Sequence, residues 1–202
     1  MLRSLKARRS FFLGRLFAKL GRYETALAFF ERVVKSCPKH LSAILYVAWC
    51  HEHLHRSQLA IAAFDRALQI DPNCAYAHRG IGKLLVHSGR FQEGADAINR
   101  ALRMEPTYSN DVDCLKSLGY AYAQIGQLED AFKVYRDAEI LRPLDAETAY
   151  WHGQMLMRLE RHEQAEQQLR KAAALAPNRA YVHADLGCTA FGNLVWVLLC
   201  FW

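Results

Sequence analysis

The segment Trp49-Cys50-His51-Glu52-His53-Leu54-His55 offers the residue types of a metal site. His51 and His55 are four apart and share one face if the segment is helical, which is half of a zinc site. A structural zinc takes four ligands, and Cys50 and Glu52 point around such a helix rather than to the same spot. The simpler reading puts His51 in an apolar column and His53 and His55 in solvent near a turn. The six cysteines, Cys37, Cys50, Cys74, Cys114, Cys188 and Cys200, include no CxxC pair. Reduced thiols in a cytoplasmic compartment are expected of them. GxSxG, P-loop, GxGxxG and HExxH motifs are missing, and no Cys or His has a third orienting partner at recognisable spacing. No catalytic residue, metal or cofactor is therefore assigned, and the chain reads as a non-enzyme without a small-molecule substrate. What remains able to do chemistry is a set of aromatic and basic side chains that can hold another macromolecule.

The elements that carry those side chains are visible as a repeat. Pro38, Pro72, Pro106, Pro143 and Pro177 are all the prolines in the chain, and they are 34, 34, 37 and 34 residues apart. In the same register runs a column of small residues, Gly14, Ala48, Gly82, Gly119, Gly153 and Gly187, which marks where two helices approach closely. An apolar column precedes it by one residue: Leu13, Val47, Ile81, Leu118 and Leu186, with His152 as the exception. Further on, Ala26, Ala60, Gly94, Ala131 and Ala165 are each followed four residues later by Phe30, Phe64, Ile98, Tyr135 or Leu169. Spacings of three and four are those of an amphipathic helix, and proline forbids its continuation. Each unit is a helix, a turn and a helix, too small to bury its own apolar stripe, so it must stack on its neighbours.

This pattern resembles the tetratricopeptide repeat family, whose unit of about 34 residues is a helix-turn-helix with small residues at the crossings and a closing proline. Five repeats are read, at 7–40, 41–74, 75–108, 112–145 and 146–179, with a partial sixth at 180–191. A basic lead occupies 1–6 and an apolar tail 192–202. The resemblance implies an all-α fold, a right-handed superhelical solenoid of antiparallel helix pairs with a concave groove lined by the first helices. It also implies a protein-binding scaffold or adaptor rather than a catalyst.

If the small-residue column faces the second helices, the inner face of each first helix follows. It collects Phe11, Phe12 and Arg15, then Leu45, Tyr46 and Trp49, then Tyr76, Arg79 and Lys83. The later repeats add Lys116 and Tyr120, then Tyr150, Trp151 and Gln154. Some of these aromatics pack between adjacent first helices. The mixture of aromatic and basic residues suits a protein or peptide with apolar anchors and acidic residues. Tetratricopeptide domains that clamp the C-terminus of heat-shock chaperones use lysine, asparagine and arginine at matching positions. Here those positions hold Phe11, Arg15, Tyr46, Tyr76 and Gly80, and starting one repeat later gives Leu45, Trp49, Gly80, Asp113 and Ser117, so such a clamp is not expected.

The net charge of +6 is local: residues 1–22 carry seven cations and no acid, and residues 23–202 sum to −1. Single-stranded RNA would fit a basic and aromatic track, but Asp113 and Glu147 interrupt it, and a protein partner is the preferred reading. The N-terminal stretch is read as a basic cap on the first helix rather than a transit segment, since Leu13, Gly14, Phe17, Gly21 and Tyr23 already sit in register. Three residues are inserted around Thr107–Asp111, where Ser109, Asn110 or Asp111 can cap the next helix. In the fifth repeat, His152 and Glu160 replace an apolar residue and a turn glycine, and looser packing is expected there. The tail Leu194-Val195-Trp196-Val197-Leu198-Leu199-Cys200-Phe201-Trp202 is too short to span a bilayer. It leaves three readings open: an incomplete second helix, a dock for a partner or membrane surface, or the aberrant end of a longer protein, in which these repeats would select substrate for a catalytic domain. The last is favoured.

Overall fold

In a computed structural model of the chain, residues 2–179 are described, with side chains from residue 6 onward. The partial sixth repeat, the apolar tail, Cys188 and Cys200 lie outside the described residues. Among those described there are ten α-helices, one short 3-10 segment and no strand. They run α1 (Leu2–Lys19), α2 (Tyr23–Ser36), α3 (Leu41–His53), α4 (Ser57–Ile70), α5 (Ala75–His87), α6 (Phe91–Met104), the 3-10 turn Pro106–Asn110, α7 (Val112–Gln124), α8 (Leu128–Leu141), α9 (Ala146–Arg158) and α10 (His162–Leu175).

Two compact units divide the chain, one of Met1–His87 with Asp96–Pro106, the other of Ser88–Ala95 with Thr107–Trp202. In the first, α1 packs on α2 and α3 on α4, while α2 also covers α3 and α4 covers α5. In the second, α7 packs on α8, α8 on α9 and α9 on α10. Within each unit these helices lean on their neighbours in sequence, as stacked hairpins must.

The columns predicted from sequence make up the core. Phe30, Phe64, Ile98, Tyr135 and Leu169 are completely buried, as are Val33, Ala67, Ala101, Ala138 and Ala172. Full burial of one such large side chain contributes roughly 1.5–3 kcal/mol. The small residues do what their size requires: a Cβ on Gly14 would lie 2.8 Å from the Phe30 ring, and one on Gly119 2.9 Å from Tyr135. Gly80, which lies outside the predicted column, is just as constrained, because its Cβ would run into the ring of Phe64. Phe64 belongs to the preceding hairpin, so Gly80 marks contact between successive hairpins rather than within one.

The corners follow from capping and turn chemistry. Of the three candidates at the insertion, Asp111 is the cap: its Oδ1 accepts from Asp113 N at 3.1 Å and Cys114 N at 3.2 Å. Asp145 does the same for α9, accepting from Glu147 N at 3.2 Å and Thr148 Oγ1 at 2.7 Å. The turns within hairpins use left-handed backbone at Gly21, Gly89 and Gly126. At the equivalent places His55 (φ 56°) and Glu160 (φ 59°) adopt it without being glycine.

The expectation of looser packing at His152 is corrected. The side chain is buried, and its Nδ1 donates to Glu139 Oε2 at 2.6 Å, while Lys171 Nζ donates to Glu139 Oε1 at 2.5 Å. A histidine is accommodated there because the position it faces on the preceding repeat, which is Val34, Leu68 or Leu102 in repeats one to three, is Glu139 in the fourth.

Candidate functional site

In the first unit, α3 presents Ser42, Leu45, Tyr46 and Trp49 along one face, at the i, i+3, i+4 and i+7 spacing of neighbouring side chains on a helix. With Tyr76 from α5 they line a hollow of about 290 Å³. A larger hollow of about 620 Å³ on α2, α3 and α4 is edged by Glu31, Lys35 and Arg66 and has no aromatic lining. The first is the better candidate because its walls are large, rigid and apolar, the property that concentrates binding energy.

Those walls are held from behind. Tyr46 stacks on Phe30 with centroids 4.7 Å apart and meets the edge of Phe11 at 5.5 Å. Trp49 is fixed edge-on by His53 at 4.4 Å and by Tyr23 at 5.3 Å, and His53 and Tyr23 stack on each other at 4.5 Å. Tyr76 leans on Phe64 at 6.0 Å, and the Arg79 guanidinium lies 5.1 Å from its ring. Lys83 stands 3.7 Å from Glu52 on α3.

The structure therefore brings Leu45, Tyr46, Trp49 and Tyr76 together, with Arg79 and Lys83 following on α5. Phe11 supports the site from behind Tyr46. Phe12 and Arg15 are exposed on α1. In the second unit, Trp151 stands at the centre of a separate group, 5.7 Å from Tyr120, 5.2 Å from Tyr150 and stacked over Tyr135 at 6.4 Å. Gln154, one turn after Tyr150, is half-buried. Lys116 is ringed by acids, 2.7 Å from Glu147, 3.5 Å from Asp145 and 3.7 Å from Asp113. Burial opposes its charge, but these carboxylates outweigh that and raise its pKa. Its charge is thus already compensated within the protein.

Sequence reasoning missed Tyr23 and His53, which set the tilt of Trp49. Their signal was faint: Tyr23 opens a second helix, and His53 read as a solvent residue. The histidine segment does not gather a metal site. Among the described residues no group of three His, Cys, Asp or Glu side chains is placed to hold a metal ion. His51 is buried with its pKa lowered by desolvation and by the nearby Arg56 charge, while His53 and His55 are exposed. Cys37, Cys50, Cys74 and Cys114 are free thiols, and burial pushes Cys50 up to about 12, which keeps it protonated. Among the described residues no helix is long and apolar enough to cross a membrane.

The family model for the tetratricopeptide repeat matches at residues 4–40, 13–73, 53–109 and 116–180. The chain belongs to the tetratricopeptide repeat family. Its fold is shared with MamA from Desulfovibrio magneticus RS-1, at 20% identity and TM-score 0.75 over 87% of this chain and 97% of that one. A second MamA structure, from AMB-1, matches at 18% identity and TM-score 0.73 over 90% of this chain and 97% of the other. YrrB, described as a tetratricopeptide repeat protein with an unusual peptide-binding site, matches at 20% identity and TM-score 0.73 over 87% and 90%. At these identities the likeness concerns fold, that of a solenoid of helix pairs. No curated protein matches the chain.

Proposed function

We propose that the protein is a non-catalytic interaction scaffold that binds a peptide segment of a partner protein along the first helices of the first unit, with an apolar side chain of that peptide seated between α3 and α5. The observation that carries this reading is the hollow walled by Leu45, Tyr46, Trp49 and Tyr76, whose aromatic rings are braced from behind and lose little freedom on binding. Arg79, on the same helix as Tyr76 and lying over its ring, adds positive charge that favours an acidic residue beside the anchor. The fold shared with YrrB, a peptide-binding protein, is in keeping with this. Free thiols at Cys37, Cys50, Cys74 and Cys114 are in keeping with a reducing, cytoplasmic setting.

The test is selection from a random peptide library on the intact chain, followed by affinity measurement of the enriched peptides. They are expected to share one large apolar residue flanked by Asp or Glu. Trp49→Ala is expected to weaken them about thirtyfold, the scale of a binding hot spot, with circular dichroism unchanged. Equal affinity for Trp49→Ala would sink the assignment, and so would tight, steeply salt-dependent binding of a random RNA oligonucleotide that competes with the peptides.

A further inference from the structure

The outer face of α1 differs from every comparable face in the repeat. Positions 9, 12 and 16 correspond, one repeat on, to Ala43, Tyr46 and Cys50 of α3. There the preceding helix α2 covers them: Ala43 packs with Val33, Tyr46 stacks on Phe30, and Cys50 shares a core cluster with Ala26 and Leu27. On α1 the same face is Arg9, Phe12 and Leu16, continued by Leu20 in the turn just past the helix end. Phe12 is 67% exposed, Leu16 45% and Leu20 64%. No described helix covers it. Three large apolar side chains at helical spacing on one exposed face are the surface a second helix docks on.

Charge says which kind of helix. At the position of Arg9 the later repeats hold Ala43, Ala77, Cys114 and Thr148, all completely buried. A helix like α2 laid on α1 would desolvate Arg9 without a partner, which is costly. Arg8, Arg15 and Lys19 are exposed along the flank of the same face, and α1 contains no acid. Two copies of this face pressed together would oppose cation to cation, so self-pairing is disfavoured.

We infer that the outer face of α1 is a docking site for an acidic amphipathic helix of a partner protein. That helix takes the place α2 takes on α3, with apolar residues over Leu16 and Phe12 and a carboxylate opposite Arg9. By the α2 precedent the order along it is apolar, aromatic three residues later, and acid three residues after that, matching Leu27, Phe30 and Val33 with the last position made acidic. The site is separate from the hollow between α3 and α5.

The experiment uses the intact chain and stapled helical peptides of sequence 23–36 in which Val33 is kept, Val33→Glu or Val33→Lys. The Glu peptide is expected to bind at least tenfold more tightly than the other two. Arg9→Glu in the chain should reverse the order, making the Lys peptide the tighter ligand, and Leu16→Ser should weaken all three. Both changes are at exposed sites, and circular dichroism checks that the fold persists. Trp49→Ala should leave the Glu peptide unaffected, so this inference and the peptide-anchor reading fail independently. Indifference to the residue at position 33, or the same preference in Arg9→Glu, overturns the proposal. So does Arg9-dependent binding to phosphatidylserine vesicles in the absence of Glu-peptide binding, or self-association of the free chain that Leu16→Ser abolishes.

Discussion

Glu160 illustrates how a single residue bears a cost that its neighbours avoid. Its left-handed backbone is the conformation that Gly21, Gly89 and Gly126 occupy at the matching turns, and a side chain there costs roughly 1–2 kcal/mol. Glu160 is exposed, so nothing in its packing offsets the strain. Glu160→Gly is therefore expected to stabilise the protein, by about 1 kcal/mol after the greater freedom of glycine in the unfolded chain is counted. Urea denaturation would show this as a higher midpoint at unchanged slope. A lower midpoint would mean that the Glu160 side chain contributes something its exposure hides. This turn was legible in the sequence as a position normally held by glycine; what the sequence left open is that the chain keeps the same backbone without it.

Among the helices, the seam between α8 and α9 carries the most unusual interaction. His152 and Glu139 occupy positions that read Val47 with Val34 and Ile81 with Leu68 in earlier repeats, so one apolar pair has been exchanged for a buried, hydrogen-bonded polar pair held also by Lys171. A buried ion pair is expensive to desolvate, and a well-packed apolar pair of similar volume is often as good or better. Glu139→Leu with His152→Ile together is expected to be neutral or stabilising by up to about 2 kcal/mol, whereas His152→Ile alone, which removes one partner of a buried carboxylate, should cost about 2–3 kcal/mol. A double-mutant cycle by denaturation measures the coupling. The pair also predicts a pH dependence. Burial by itself would raise the pKa of Glu139, but hydrogen bonds and charge from Lys171 and His152 more than offset it and hold the carboxyl below its usual range. Its stabilising contribution is thus complete above the unfolded glutamate pKa of about 4.3 and is lost as pH falls through the lower folded value. The double variant should show a shallower loss of stability in acid, read from denaturation midpoints between neutral pH and the acid range.

Within each of the two units, helices contact their neighbours in sequence, and the effect of a local lesion should stay local. Gly80→Ala forces a methyl group against the buried Phe64 ring and is expected to cost about 1–3 kcal/mol. Hydrogen exchange should speed up across α3, α4 and α5 while α8, α9 and α10 keep their protection. Uniform acceleration along the chain would contradict nearest-neighbour stacking. The charge distribution is also a property at this scale: the cations of residues 1–22 are concentrated on and just after one helix, so partners that use α1 will be more sensitive to salt than ligands of the hollow between α3 and α5.

The register of helices, turns and core columns was written in the sequence, because a unit that cannot bury its own apolar face must repeat the same few positions, and repetition is visible without coordinates. The aromatic candidates on α3 and α5 were equally legible as residues. Only the tertiary structure decided which of them meet: Tyr46 and Trp49 become walls because Phe30, Tyr23 and His53 arrive from other helices, Lys116 is neutralised by acids from α9 and its own helix, and Gly80 is fixed by a ring from the hairpin before it. Spacing along one helix determines a face, but what covers that face depends on a second helix whose distance and tilt are set by packing, which no single stretch of sequence contains.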